Sequence, residues 1–199
     1  MSWVDLQDVN QKSWVCGWCG NQVASAKGYR SETESRDRNY RIARNVYDLI
    51  YICPNCNKPT HFPSPKSYNQ TPGAILGNDI GHLPHQINTL YCEARKCIAA
   101  NAYTSSVLLS RKLMMHIAVE QGAPEGSTFL SYVEYLSDNG FVPPNGKGWV
   151  DHIRTKGNEA NHEIRIMEPD EASQLISFLE MLLKFIYEFP ALIPTDSPE

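Results

Sequence analysis

The 199-residue sequence contains no apolar run that approaches the length of a membrane-spanning helix. Its first residues, Met1-Ser2-Trp3-Val4-Asp5, lack the basic and apolar pattern of a secretory leader. No internal repeat is visible, and the formal net charge of -4 gives no strong surplus of either sign. These absences argue against a membrane partner and against bulk, non-specific nucleic-acid binding, although they allow a local basic site. We expect a cytoplasmic globular protein.

The sequence contains six cysteines, and four of them form two Cys-x-x-Cys pairs. One pair is Cys16 with Cys19, and the other is Cys53 with Cys56. Each turn presents two thiolates to one ion, so the two pairs together predict one tetrahedral zinc site. A closed set of four cysteines leaves no coordination position for a substrate, which favours structural Zn2+ over catalytic zinc. A redox pair or a disulfide framework is the weaker alternative in a chain without secretory features.

The other two cysteines, Cys92 and Cys97, lie in a segment with helical periodicity. Their side chains point in different directions on a helix, so we do not expect a disulfide between them. We interpret both as small core residues in a reducing compartment.

The composition changes near residue 60, which divides the chain into two predicted folded parts. Before this point the stretch Val46–Ile52 is rich in β-branched and aromatic residues, which predicts a strand that leads into Cys53. After it, prolines and glycines indicate an irregular linker. The predicted domains are a zinc ribbon at 1–62, a linker at 63–82, a helical bundle at 83–190 and a tail at 191–199. The predicted fold class is mainly α, an all-helical bundle preceded by a small β zinc ribbon.

The segment between the two cysteine pairs, Lys27–Arg44, mixes charges of both signs. This mixture favours a solvated hairpin loop over a nucleic-acid contact surface. From Leu83 onward the apolar residues recur every three or four positions, which predicts helices. One of them, from about Thr104 to Gln121, carries apolar residues on all sides and is therefore predicted to be central. The last predicted helix follows Pro169.

A polar cluster in the C-terminal half is the candidate for chemistry. Asn158 is a good N-cap for a helix, and the free amides of such a helix start can hold a phosphate. His162 lies four positions later and Arg154 one turn before, so the three side chains can converge. Arginine neutralises charge on phosphorus, and histidine transfers protons near neutral pH. The alternative is structural, with Arg154 paired to Glu159 or Glu163 and His162 donating to a carbonyl in the core.

A rival pair, Arg111 and His116, lies in the predicted central helix. The two side chains diverge by more than a quarter turn on an ideal helix. Arg111 shares its register with apolar residues, so its charge needs a partner such as Glu93. An ion pair with a structural role is the favoured interpretation of Arg111.

Three segments of the sequence resemble the HEPN superfamily of helical domains that occur in restriction and phage-defence contexts. They are Leu90–Arg95, Leu109–Leu113 and Ile153–His162. The resemblance implies an all-helical HEPN-like bundle with a zinc ribbon fused in front of it. HEPN ribonucleases cut RNA without metal, using an arginine and a histidine at a dimer interface. The resemblance implies that Arg154 and His162 take those roles, with Asn158 as their polar neighbour. The spacing between Arg154 and His162 is longer than that between the arginine and the histidine of the family.

Two functions follow from these expectations. The first is a zinc-ribbon plus HEPN-like binding module of bacterial or phage defence, which contacts nucleic acid, a phosphate-bearing ligand or a protein. The second is a metal-independent endoribonuclease that uses Arg154 and His162 at the interface of a homodimer. The longer spacing favours the binding module, because a shared fold does not fix a shared function. The expected partners are a second copy of the chain and either RNA or a protein of the defence system.

Overall fold

The protein divides into two compact units, Met1–Ile75 and Leu76–Glu199. The predicted boundaries at residues 62 and 82 stay a prediction. No helix in the described part of the chain is both long and apolar enough to cross a membrane. The computed structural model describes residues 2–36, 42–146, 148–151, 153 and 166–193.

The N-terminal unit is an antiparallel sheet of four strands, which pair in the order β1 (Gln7–Val15), β2 (Gln22–Arg36), β3 (Ile42–Ile52) and β4 (Pro59–Phe62). The sheet is irregular, because the register of β1 against β2 shifts between Asp8 and Lys12 and that of β2 against β3 shifts between Arg30 and Glu32. Such bulges bend and twist a sheet.

The predicted fold class is wrong, since strands make up 22% and helices 43% of the structure. The error arose in β2, which spans 15 residues, Gln22–Arg36, and covers much of the predicted loop. Most of its side chains are polar, so it shows no alternation of apolar and polar residues from which a strand is inferred. Its conformation comes instead from pairing with β1 and β3 on either side. By contrast, the strand predicted to lead into Cys53 is confirmed as β3.

Three aromatic rings form the centre of the small N-terminal core. Trp14 of β1, Tyr51 of β3 and Phe62 of β4 are all buried. Their ring centroids lie 5.5 to 6.0 Å apart, and the two contacts of Phe62 are edge-to-face. Such aromatic pairs stabilise a folded core by more than the burial of their surface alone would give. β1 and β4 thus meet over one face of the curved sheet although they are not hydrogen-bonded neighbours.

The described part of the C-terminal unit contains the helices α1 (His85–Ala99), α2 (Tyr103–Glu120), α3 (Phe129–Asp138), α4 (Pro169–Leu183), which continues as a π-helical turn (Lys184–Glu188), and α5 (Phe189–Ala191). Helices α1 to α4 share one core. α2 contacts α1, α3 and α4, and its buried residues include Met114 and Ile117, which confirms the prediction of a central helix. Thr128 caps α3 by accepting a hydrogen bond from the Ser131 amide.

A buried arginine on α1 holds the chain that enters this unit. Arg95 donates to the carbonyls of Leu76 and Gly77 at 2.8 and 2.7 Å and forms an ion pair with Asp79 at 2.5 Å. Glu180 of α4 accepts hydrogen bonds from the backbone and the side chain of Asn78 at 3.1 and 2.8 Å. Helices α1 and α4 therefore fix residues 76–79 through specific polar contacts.

Candidate metal centre

The first cysteine pair forms a tight turn directly after β1. The Gly20 amide donates to the Cys16 carbonyl at 2.8 Å, and the Cys16 amide donates to the Asn21 carbonyl at 3.0 Å. Gly20 has a φ of 72°, in the left-handed region that glycine adopts without strain. This turn brings the Cys19 side chain back toward that of Cys16.

The second pair repeats this geometry directly after β3. The Asn57 amide donates to the Cys53 carbonyl at 2.9 Å, and the Cys53 amide donates to the Lys58 carbonyl at 3.0 Å. Asn57 stands where Gly20 stands in the first turn and has a φ of 57°. The sequence analysis missed this role of Asn57. Its signal was present, because asparagine is among the few residues other than glycine that visit the left-handed region routinely.

The two turns bring four sulfur atoms together. The Sγ atoms of Cys16, Cys19, Cys53 and Cys56 all lie within 4.8 Å of one another. The Cys16–Cys56 distance is 3.7 Å and the Cys19–Cys53 distance is 3.9 Å. Both exceed the disulfide bond length of about 2.0 Å, and all four cysteines are free. The disulfide alternative does not describe this geometry.

The distances suit a tetrahedral metal ion. A zinc ion with Zn–S bonds of about 2.3 Å holds its sulfur ligands about 3.8 Å apart. The observed separations of 3.7 and 3.9 Å bracket this value. Cys16 and Cys53 are fully buried, and thiolates buried this closely need a cation to compensate their charge. The four cysteines are therefore able to bind one metal ion.

Hydrogen-bond donors around the cluster are directed at sulfur. The Trp18 amide lies 3.5 Å from Cys16 Sγ, and the Cys56 amide lies 3.5 Å from Cys53 Sγ. The Asn55 side-chain amide lies 3.5 Å from Cys19 Sγ. Such donors stabilise thiolates and orient them toward a metal. Asn55, which lies between Cys53 and Cys56, therefore contacts a sulfur atom of the other cysteine pair directly.

The pKa values of two of the thiols reflect these surroundings. Burial raises the pKa of Cys56 to about 12. Burial also acts to raise the pKa of Cys19, but hydrogen bonds from Asn55 and the Asn21 backbone outweigh it and lower that pKa to about 7. Of Cys19 and Cys56, Cys19 is therefore the more readily ionised thiol.

The segment after β4 packs against the first turn. A Cβ added to Gly17 would lie 2.1 Å from the Gly73 carbonyl oxygen, so only glycine fits at this position. The Gln70 side chain donates to the carbonyls of Val15 and Pro72 at 2.8 and 2.9 Å. Residues predicted to form part of an irregular linker therefore support the cysteine cluster.

The predicted catalytic residues Arg154, Asn158 and His162 lie outside the described residues, so their proposed roles stay a prediction. In the rival pair, the Arg111 guanidinium lies 4.3 Å from the centroid of the Phe129 ring, and the ion pairs among the described residues do not join it to Glu93. Burial lowers the pKa of Arg111. Arg111 thus contacts an aromatic ring rather than its predicted carboxylate.

The structure defines a protein with four clustered cysteines that could bind a metal ion in a β-sheet unit, and with a second, helical unit. The model of a domain of unknown function, DUF4145, matches residues 92–195, just over half of the chain. The chain therefore belongs to the DUF4145 family. No curated protein and no solved structure matches it.

Proposed function

We propose that Cys16, Cys19, Cys53 and Cys56 bind one structural zinc ion and that the chain acts as a binding module. The observation that carries the proposal is the convergence of four sulfur atoms at distances that fit tetrahedral zinc. Soft thiolate ligands select zinc over calcium or magnesium. All four positions of a tetrahedral ion are filled by protein, which leaves none for a substrate.

The zinc supports the fold by joining two distant parts of the sheet. The ligands Cys16 and Cys19 follow β1, and the ligands Cys53 and Cys56 lie between β3 and β4. Strands β1 and β3 are not hydrogen-bonded neighbours, because β2 lies between them. One ion therefore closes the end of the sheet, and its binding free energy adds to the free energy of folding.

The biological setting that we propose rests on the sequence. The segments Leu90–Arg95 and Leu109–Leu113 resemble HEPN proteins, which supports a role in bacterial or phage defence. The zinc-bearing unit would contact nucleic acid or a protein of that system. A closed metal site suits this role, because it stabilises a surface without taking part in a reaction.

Cobalt substitution tests the metal site directly. Purified chain is stripped of metal under reducing conditions and titrated with Co2+, whose visible spectrum reports tetrahedral thiolate coordination. We expect these bands to saturate at one ion per chain and to disappear when zinc is added. A spectrum of octahedral cobalt, or no binding, would contradict the proposal.

An RNA-cleavage assay tests the binding role against the enzymatic alternative. Zinc-loaded chain is incubated with labelled RNA, and we expect the RNA to stay intact. Cleavage by the wild type in the presence of a chelator, with its loss in His162→Ala, would favour the endoribonuclease instead.

We also propose that the chain forms a homodimer through its helical unit. Phe185, Phe189 and Leu192 are exposed at the end of this unit, and a second copy would cover them. Tyr187, in the same segment, donates to Glu120 at 2.6 Å and is only partly exposed, so it is not counted among these residues. Light scattering at micromolar concentrations should give the mass of a dimer, and Phe189→Asp should give that of a monomer. A monomer mass for the wild type would contradict the dimer.

A further inference from the structure

Two tryptophan side chains stand on the surface of the N-terminal unit beside the second cysteine turn. The Trp18 indole nitrogen donates to the Pro59 carbonyl at 2.7 Å, and that of Trp3 donates to the Asn57 carbonyl at 2.9 Å. Trp18 is 46% exposed and Trp3 is 38% exposed, whereas the core residue Trp14 is 4% exposed. Each exposed indole is therefore held by its polar edge while part of its apolar surface faces solvent.

A lysine lies between the two anchoring carbonyls. The Lys58 ammonium nitrogen lies 4.8 Å from the Trp18 ring centroid, in a cation–π contact. The carbonyls of Asn57 and Pro59 are two residues apart, so at most about 7 Å of chain separates the two anchors. Tyr29 packs against Trp3 with their ring centroids 6.3 Å apart. We call Trp3, Trp18 and Lys58 the tryptophan–lysine surface.

The chemistry of this surface selects a class of ligand. Fixed aromatic faces beside a cation suit a molecule that carries flat rings on an anionic backbone. A cationic ligand is disfavoured, because the Lys58 ammonium already lies against Trp18. A nucleic-acid duplex is disfavoured as well, since its bases are stacked on one another and cannot reach the indoles. An unpaired strand offers free base faces together with phosphates.

The distribution of charge along the sequence also favours a polyanion at this unit. Residues 1–75 hold nine lysines and arginines against six aspartates and glutamates, a surplus of three positive charges. Residues 76–199 hold nine basic against sixteen acidic residues, an excess of seven negative charges. Four thiolates around one Zn2+ subtract two charges from the first unit, which still leaves it positive. An anionic strand is therefore attracted to the unit that carries the tryptophan–lysine surface.

We infer that the tryptophan–lysine surface binds single-stranded nucleic acid, with bases stacked on Trp3 and Trp18 and a phosphate at Lys58. The inference rests on the proposed zinc site, because both indoles are anchored to the backbone of the second cysteine turn. Loss of the metal would therefore disperse the surface. Stacking tolerates any base, so the expected binding depends weakly on sequence.

Fluorescence anisotropy with the zinc-loaded full chain tests this inference. The probe is a labelled oligothymidylate of about 20 nucleotides, long enough for the site size of a small module. The competitors are an unlabelled oligouridylate and a duplex of the same length. We expect the oligothymidylate to bind at low salt, the oligouridylate to compete and the duplex to compete poorly. Protein tryptophan fluorescence should be quenched as the strand binds.

Matched variants assign the binding to the surface. Trp18→Ala should weaken binding roughly tenfold to a hundredfold, the range for one stacked base. Lys58→Glu should weaken binding and reduce the salt slope of log K by about 0.7 or more, as expected when a phosphate contact is lost. The controls are Tyr68→Ala, which removes an aromatic ring that is 96% exposed, and Lys66→Glu, which makes the same charge change at another exposed lysine.

The zinc content and melting temperature of each sample separate the inference from the proposed zinc site. A wild-type chain that holds zinc but does not bind the oligothymidylate overturns the inference and leaves the zinc site standing. Equal weakening by Lys58→Glu and Lys66→Glu, or a duplex that competes as well as the single strand, also overturns it. Since the Lys58 side chain is exposed, Lys58→Glu remains decisive even if Trp18→Ala unfolds the unit.

Discussion

The two units of this protein bury very different cores. In the described part of the chain, the N-terminal core has seven buried residues, two of which are the cysteines Cys16 and Cys53. Among its described residues, the core of the helical unit has 24 buried residues and no cysteine. A unit with so small a core gains little from hydrophobic burial and needs a further source of stability. We therefore expect the sheet to depend on the proposed zinc ion for its stability, whereas the helices depend on packing.

Removal of the metal should have the largest effect, because it should destabilise the sheet and leave the helices folded. Structural zinc contributes an apparent 10–16 kcal/mol in small domains, so a chelator or Cys56→Ser should unfold the N-terminal unit. Hydrogen exchange followed by mass spectrometry should show loss of protection in β1 to β4 and retained protection in α1 to α4.

The matched control for this experiment is Cys92→Ser. Cys92 lies on α1, and its sulfur contacts Asn88 rather than the cluster, so the sheet should remain protected. Protection of β1 to β4 that survives in Cys56→Ser would show that the small core suffices without metal.

Removal of Arg95 should destabilise the helical unit while leaving the sheet unchanged. Arg95→Met leaves the Leu76 and Gly77 carbonyls without their donor, and we expect a loss of about 3 kcal/mol. The partner variant Asp79→Asn should cost less than about 1 kcal/mol, because the Asp79 side chain is exposed. Urea unfolding of the helical unit measures the loss of unfolding free energy in each variant. Equal losses in the two variants would contradict the view that the buried carbonyl contacts dominate.

The sequence predicts the cysteine cluster well because its signal is local. Two thiols in one turn are close for any fold, and only the meeting of the two turns depends on the sheet. The backbone role of Asn57 was also readable, since it follows Cys56 as Gly20 follows Cys19. Position Asn57 was missed because its function lies in its φ rather than in its side chain.

Other features could not be predicted from the sequence, because they depend on residues that are far apart along the chain. The strand β2 is polar along most of its length and is fixed by two neighbouring strands. The contact of Trp3 with the Asn57 carbonyl joins residues 54 positions apart. Likewise, the prediction that Arg111 pairs with Glu93 used helical register alone, which does not reveal the ring of Phe129 on another helix.

Substitution of Asn57 should perturb the second turn by a smaller amount. Asn57→Ala places an alanine in the left-handed region and should cost about 1–2 kcal/mol, whereas Asn57→Gly should be nearly neutral. Competition for zinc with a chelator of known affinity measures the difference. If both variants hold zinc equally well, the left-handed residue is not important for the site.

The smallest expected effect concerns the pH dependence of the helical unit. Burial acts to raise the pKa of Glu180, but hydrogen bonds from Lys184 and Asn78 outweigh it, and the net pKa is lowered. A lowered pKa in the folded state gives stability that is present at neutral pH and is lost as the pH falls below the ordinary glutamate value of about 4.3. Thermal melts should therefore show a shallower acid dependence for Glu180→Gln than for the wild type. An identical dependence would contradict this role of Glu180.

The most direct test of the account is the zinc content of the chain purified without added metal. Elemental analysis should give one zinc per wild-type chain, one per Cys92→Ser chain and none per Cys56→Ser chain. This result would tie the metal to the four clustered sulfur atoms. Wild-type protein that folds with no zinc, or a Cys56→Ser variant that retains a full equivalent, would contradict the claim that a four-cysteine zinc centre holds the N-terminal unit together.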